Sequence, residues 1–335
     1  MRIDRSRRTL RVLAVVAAAS AALAACSSQG GAQNQAPAAG SGGGDTSGAN
    51  LTIQMVTHEQ AGDTFWDKIR AGAEDAAKSH GITLQYSNNE NGPEQATLVQ
   101  NAIDSKVSGL AVTLSNADAV VPVVQKAAQA GIPVVAFNQG IDDYTEAGAK
   151  MYFGSDELLA GQTIGQKLAA ADSGGKTLCV IQAQGQQQLE DRCDGLTSKF
   201  SGTVDKLYAE GTDTAAYVST VSATLQTDPS IDAVVTLGPG LGVAVADDVK
   251  SKNGTQKVVT YAFNPDVVKR LQDGSIAFTV DQQPWLQGYM SIDSLWQYQF
   301  NKSVLGAQQS IATGPFLVDK DNIDTIVPFI NANKR

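Results

Sequence analysis

From residue 50 to residue 280 one pattern recurs, in which a short apolar run, a stretch of helical spacing and a second apolar run alternate about every 25 residues. The first row of runs is LTIQMV (51–56), ITLQY (82–86), GLAVTL (109–114) and IPVVAF (132–137). Between them Phe65, Ile69, Ala73 and Ala76 keep helical spacing, as do Ala96, Val99 and Ile103, then Val120, Val124 and Ala127. A second row follows with TLCVI (177–181), VDKLYA (204–209), DAVVTL (232–237), KVVTYA (257–262) and IAFTV (276–280). Strands that alternate with helices form βαβ units and a parallel sheet. Strands that are apolar almost throughout belong to sheets covered on both faces. The pattern therefore predicts an α/β protein of two doubly wound, Rossmann-like lobes, which suits 335 residues at roughly 100–200 per domain. Ligands of such sheets gather at the carboxyl ends of the strands. That rule nominates residues 58–66, 138–139, 182–192, 238–240, 261–264 and 281–283.

The N-terminus points to export. Arg2, Arg5, Arg7, Arg8 and Arg11 precede an apolar run over residues 12–25, which at about 14 residues is shorter than the ~20 a membrane-spanning helix needs. A basic region, a short apolar region and small residues read as a secretory signal over residues 1–25. Leu23, Ala24, Ala25 and Cys26 resemble the lipobox of bacterial lipoproteins, in which the cysteine is lipidated and becomes the first residue; an ordinary signal with a chance cysteine is the alternative. Residues 26–49 are rich in Gly, Ser, Ala and Gln and lack the apolar surface to order themselves, so they read as a flexible tether. The expected location is the outer face of the cell membrane, with the protein held there by lipid.

Charge and motifs narrow the function. The net charge is −9, and removing residues 1–25 takes away five arginines and one aspartate to leave −13. That sign excludes tracking along nucleic-acid phosphates. Two histidines and three cysteines leave little for metal or catalytic clusters, and no metal or cofactor is expected. Gly238, Gly240 and Gly242 follow a strand, but the third glycine of a dinucleotide fingerprint would fall at Val243. Gly175, Lys176 and Thr177 echo a phosphate loop, yet Ala170 replaces its first glycine and a strand follows, so this is a turn. With no nucleophile elbow or zinc-protease motif either, an enzyme is not expected. His58 ends a strand; a hydrogen-bonded structural role is the simpler reading and ligand contact the other. His80 near a helix C-terminus is accounted for by the helix dipole.

The segments MVTHEQAGDTFWDKIRAGAEDAAKSHGITLQY, GLAVTLSNADAV, AGIPVVAFNQG, YFGSDELLAGQTIGQKLA, LCVIQAQGQQQLEDRCDG, DQQPWLQGYM and TGPFLVDKDN resemble, in consistent order over residues 50–325, the type I periplasmic sugar-binding proteins, the ribose-binding-protein-like group serving ABC importers. The resemblance implies two lobes joined by three crossovers near Ser155, Gln282 and Thr313: residues 50–154 with 283–312, and residues 155–282 with 313–335. It implies a monomer that closes around one monosaccharide or polyol and hands it to a membrane permease. A receptor reporting a sugar-like signal to a sensor uses the same cleft and is the alternative. Transcriptional repressors share the fold, but they begin with a DNA-binding helix pair where this chain has an export signal.

Position by position, the resemblance puts Phe65 and Trp66 where the family stacks rings on the sugar, whose apolar C–H faces suit aromatic contact. Asp63 matches a polar contact beside them. Asn138 and Gln139 stand where ribose binders use Asp and Arg. Arg192 matches a second-lobe Arg whose fork can hold adjacent hydroxyls, and nothing in the pattern makes it a core residue. Gln282 matches a hinge-side Gln. Ala262 and Pro239 depart from the ribose pattern of Asp and Asn, with Asn264 as the replacement polar group. Trp285 and Trp296 read as core, and the glutamines at 186–188 as a solvated turn. With Cys26 taken by lipid in an oxidising compartment, Cys179 on a strand and Cys193 on the following helix are expected to form a disulfide, the alternative being two buried thiols.

Overall fold

The computed structural model describes residues 50–60, 63–171 and 175–335, which fall within one compact unit, Asp45–Arg335. The signal, the tether and Cys26 lie outside the described residues. Among the described residues no helix is long and apolar enough to cross a membrane.

The apolar runs become strands. The first row supplies β1 (Thr52–Thr57), β2 (Thr83–Asn88), β3 (Gly109–Val112), β4 (Val134–Phe137) and β5 (Met151–Ser155). The second supplies β6 (Lys176–Ile181), β7 (Thr203–Tyr208), β8 (Ile231–Thr236), β9 (Lys257–Tyr261) and β10 (Phe278–Asp281). Each set forms a parallel sheet with the same order, β2-β1-β3-β4-β5 and β7-β6-β8-β9-β10. Two further strands finish the sheets at their edges. β11 (Ile311–Gly314) joins β5 in parallel, and β12 (Phe316–Asp319) joins β10 antiparallel. Strands β5, β11 and β12 lie where apolar patterning marks none, because they have only four or five residues and no alternating neighbour to frame them.

Among the described residues ten helices cover the sheets: α1 (Phe65–His80), α2 (Gly92–Asp104), α3 (Ala117–Gln129), α4 (Glu157–Ala171), α5 (Gln187–Lys199), α6 (Thr214–Thr227), α7 (Pro239–Ser251), α8 (Pro265–Gln272), α9 (Pro284–Asn301) and α10 (Ile323–Asn331). Their starts are written locally. Asn91, Asn116, Asp213 and Asn264 cap α2, α3, α6 and α8 by accepting backbone N–H groups that have no partner inside the helix. Each sheet buries an apolar cluster on both faces. The first packs α2 and α3 on one side, around Val99, Val112 and Val124, and α1 and α9 on the other, around Ile69, Phe137 and Ile292. The second packs α6, α7, α8 and α10 on one side and α4 with α5 on the other.

In each lobe one helix pair touches backbone to backbone. A methyl on Gly72 of α1 would lie 1.9 Å from the Trp285 carbonyl oxygen on α9, and one on Gly161 of α4 would lie 2.0 Å from the Arg192 carbonyl oxygen on α5. Trp285 and Trp296, expected in the core, are half-buried at the edge of the α1–α9 pair. Trp285 donates from Nε1 to Asp75 Oδ2 at 3.0 Å and stacks on Tyr289, while Trp296 stacks on His80 at 3.9 Å. Large rings with a polar edge suit such a rim.

Cys179 of β6 and Cys193 of α5 form a disulfide with their Cα atoms 5.9 Å apart. Titrating the unfolded, unreduced protein is expected to find neither thiol free. Replacing both by Ala is expected to cost about 3 kcal/mol in urea denaturation, the chain-entropy value for a loop of about 15 residues. An unchanged midpoint would show that the bridge carries no stability.

Candidate ligand-binding cleft

A cleft of about 440 Å³ opens at the carboxyl ends of both sheets, within the range of small-molecule sites. Asp63, Phe65, Trp66, Asn138, Gln139, Arg192, Asn264 and Gln282 all line it. These residues come from five separate places in the chain, each just past a strand or at the head of the helix that follows.

One wall is aromatic. Trp66 is buried and Phe65 half-buried at the start of α1, with their rings edge to face at 5.6 Å. Asp63 fixes that start, accepting the Phe65 backbone N–H on Oδ1 at 3.0 Å. Desolvation by the cleft walls pushes the Asp63 carboxyl pKa up; the Phe65 N–H opposes the shift, and Glu59 and Asp67 reinforce it. His58 lines the same wall and meets Trp66 edge-on at 4.8 Å.

The base of the cleft is built on strained turns. Asn138, directly after β4, and Ala262, directly after β9, occupy matching positions in the two sheets, and both are left-handed at φ 62° and 60°. Such backbone costs on the order of 1–3 kcal/mol and persists only where its surroundings hold it. Asn138 is held by Phe153, whose carbonyl accepts its N–H at 2.9 Å, and by Tyr152, whose hydroxyl donates to its carbonyl at 2.8 Å. Its side-chain amide donates to Gln287 Oε1 at 3.1 Å. Gln287 in turn donates to the Gln282 carbonyl and the Thr313 hydroxyl, at 3.0 and 3.1 Å. The cleft floor is thus bonded to two of the passages between the sheets.

The opposite wall centres on Arg192. It is buried, donates from Nε to Glu157 Oε2 at 2.7 Å and from Nη1 to the Leu237 carbonyl at 3.1 Å, and lies over the Tyr261 ring at 4.4 Å. The structure therefore corrects the view of Arg192 as having no part in the core. Asn264, offered as a replacement polar group, spends its Oδ1 on capping α8, accepting from Asp266 and Val267. The glutamines at 186–188 are not a solvated turn: they open α5, Gln188 is buried, and Gln186 and Gln188 line the cleft.

Pattern reasoning missed Glu157, which follows the unmarked strand β5; Gln182 and Tyr261 lie within the nominated strand ends but were not singled out as ligand contacts. Gln182 Oε1 and the Tyr261 hydroxyl are buried without a hydrogen-bond partner among the described residues, and both residues line the cleft. Buried polar atoms left unpaired cost free energy, so these two point to a polar guest. Among the described residues no cluster of His, Cys, Asp or Glu could hold a metal ion.

Comparison with known proteins agrees with this geometry. Residues 53–303 match the periplasmic binding protein domain. A carbohydrate transporter from Acidothermus cellulolyticus 11B, solved in complex with myo-inositol, is 44% identical, with a TM-score of 0.81 over 85% of this chain and 99% of that one. The xylose/arabinose-binding protein XylF of Sulfolobus acidocaldarius is 26% identical over 302 residues, 84% of this chain and 73% of that protein. The ribose import binding protein RbsB of Escherichia coli K12 is 26% identical over 245 residues, 70% and 80% of the two chains.

Proposed function

This chain belongs to the periplasmic binding protein family, and we propose that it captures one uncharged monosaccharide or cyclic polyol between its two lobes and delivers it to an ABC importer. The observation that carries the proposal is the division of the cleft: paired aromatic rings on one wall, a fixed guanidinium on the other, and unpaired polar atoms between them. A sugar or cyclitol offers what this arrangement lacks, a flat apolar face ringed by hydroxyls. The family is non-enzymatic, and the cleft holds its guest without chemistry. In this reading Asp63, Phe65, Trp66, Asn138, Gln139, Arg192, Asn264 and Gln282 form the ligand-contacting set. The lobes comprise residues 50–154 with 283–312 and residues 155–282 with 313–335. They hinge near Ser155, Gln282 and Thr313. Cys26 carries the lipid, and the protein acts as a monomer at the membrane surface.

Charge limits the ligand class. Arg192 is neutralised by Glu157, while Asp63 and Glu210 line the cleft as acids, so an anionic guest meets net repulsion. A thermal-shift panel of pentoses, hexoses and cyclitols is the test, with myo-inositol the first member because the 44% identical structure holds it. A ligand at 100 times its Kd adds about 2.7 kcal/mol of stability. myo-Inositol or a neutral sugar is expected to raise the melting temperature, and D-glucuronate to leave it unchanged. If only the acid shifts the melt, the proposed ligand class is wrong.

A further inference from the structure

His58 stands one residue past β1, almost fully buried, yet on the cleft wall with Asp63 and Trp66. Its Nδ1 lies 2.8 Å from the Thr113 hydroxyl. That hydroxyl already receives a hydrogen bond from Gln95 Nε2 at 3.0 Å, and the same amide group donates to the Thr113 carbonyl at 2.9 Å. Two oxygens on one side of Gln95 fix which end of its amide faces them. A hydroxyl has one proton to give. The Thr113 hydroxyl accepts from Gln95, and among the described residues its own proton has no acceptor other than Nδ1, so Nδ1 is the acceptor and the ring proton sits on Nε2, across the imidazole. Burial keeps the ring neutral, with its pKa pushed down to about 3. Among the described residues nothing accepts a hydrogen bond from Nε2. Trp66 packs edge-on against the same ring, with centroids 4.8 Å apart.

We propose that His58 is a ligand-contacting residue whose Nε2–H, aimed by the Gln95–Thr113 pair, donates to one oxygen of the bound sugar or polyol. The proposal rests on the sugar-binding reading above. Its consequence is directional. Most hydroxyls donate and accept with equal ease, but a fixed N–H can only donate, and the carboxylate of Asp63 on the same wall can only accept when ionised. The pair therefore dictates the direction of each hydroxyl it meets. A site built this way rejects an analogue lacking the hydroxyl, because the buried N–H is then left unpaired.

The chain has two histidines, so nitrogen-15 NMR of the ligand-free protein resolves His58 with one control variant, His80→Asn. His58 is expected as a neutral ring protonated on Nε2. A ring protonated on Nδ1, or a cation at pH 6, overturns the proposal whatever the ligand. Calorimetry then uses myo-inositol, or the panel member with the largest thermal shift. His58→Phe keeps the ring and its edge contact but has no N–H, and binding is expected to weaken about tenfold. His58→Gln, which retains an N–H at its tip, is expected to lose less. Should His58→Phe not fold, Thr113→Val removes the hydroxyl that orients the ring and is expected to weaken binding as well. Equal affinity of wild type and His58→Phe refutes the role of His58 and leaves sugar binding standing. A wild-type chain that binds no panel member sinks both.

Discussion

Gly161→Ala is expected to destabilise the protein by about 3 kcal/mol, the upper end of ordinary overpacking. The added methyl would lie 2.0 Å from the Arg192 carbonyl oxygen, and on the facing helix a methyl on Gly195 would lie 2.1 Å from that of Leu158. Both obstacles are backbone, so no side chain can swing aside. α4 and α5 would have to part along their length, and the cluster of Ile164, Leu168 and Leu196 beneath them would open. For a chain of this size such a loss lowers Tm by roughly 6–12 °C. Gly240→Ala is the control. It lies in α7 with nothing within 4 Å of the added methyl, and it is expected to gain about 0.4–1 kcal/mol by restricting the unfolded chain. Differential scanning calorimetry of the two ligand-free variants decides: similar melting temperatures would mean that the α4–α5 contact can slide. Because α4 carries Glu157 and α5 carries Arg192, Gly161→Ala is also expected to weaken ligand binding without touching the cleft.

Arg192→Met is expected to cost stability and affinity together. The side chain that remains is long enough to fill the space, but Glu157 keeps a buried carboxylate with no counter-charge. Breaking a buried pair in this way costs about 3–5 kcal/mol. Affinity for the neutral sugar should fall by roughly 1.5–3 kcal/mol, the worth of hydrogen bonds to a charged group. The two losses separate in the double variant. Glu157→Gln in the Arg192→Met background removes the stranded charge and is expected to restore most of the stability, with binding still lost. Urea denaturation and titration calorimetry read the two effects. A single variant as stable as wild type would show that the pair contributes nothing, and a double variant that recovers binding would remove Arg192 from the ligand-contacting set.

Nine of the twelve strands among the described residues were legible because runs of five or six mostly apolar residues bounded by helical spacing admit few other readings. The rule that ligands sit past strand ends then pointed to the strand ends that line the cleft. Strand β5 was not legible: MYFGS is five residues long and directly follows a loop. Losing it hid Glu157, since nothing marked that acid as standing at a strand end. Arg192 was found through resemblance, but its burial was not, because a helix reveals its apolar face and not which charge lies under it. The glutamines of 186–188 failed for a related reason. Their composition is that of a surface turn, and only the packing of α5 against β6, held by the disulfide, brings Gln188 inward. Of the two left-handed turns, Asn138 holds a residue type that tolerates such backbone, whereas Ala262 carries no local mark. An alanine gives no hint of left-handed backbone, which the paired strands impose.

The sheet order carries a lesson about synthesis. Five strands of the first sheet are complete by Ser155, but its edge partner β11 and the covering helix α9 come only after the whole parallel part of the second sheet. A nascent chain therefore carries a first lobe whose cluster of Ile69, Phe137 and Phe153 is incompletely covered until α9 emerges. Closing so long a loop is slow relative to local helix formation. The order of parts along the chain thus postpones the folded first lobe until the strands β6 to β10 of the second sheet have been made. A truncation before residue 284 leaves two sticky half-products rather than one working lobe.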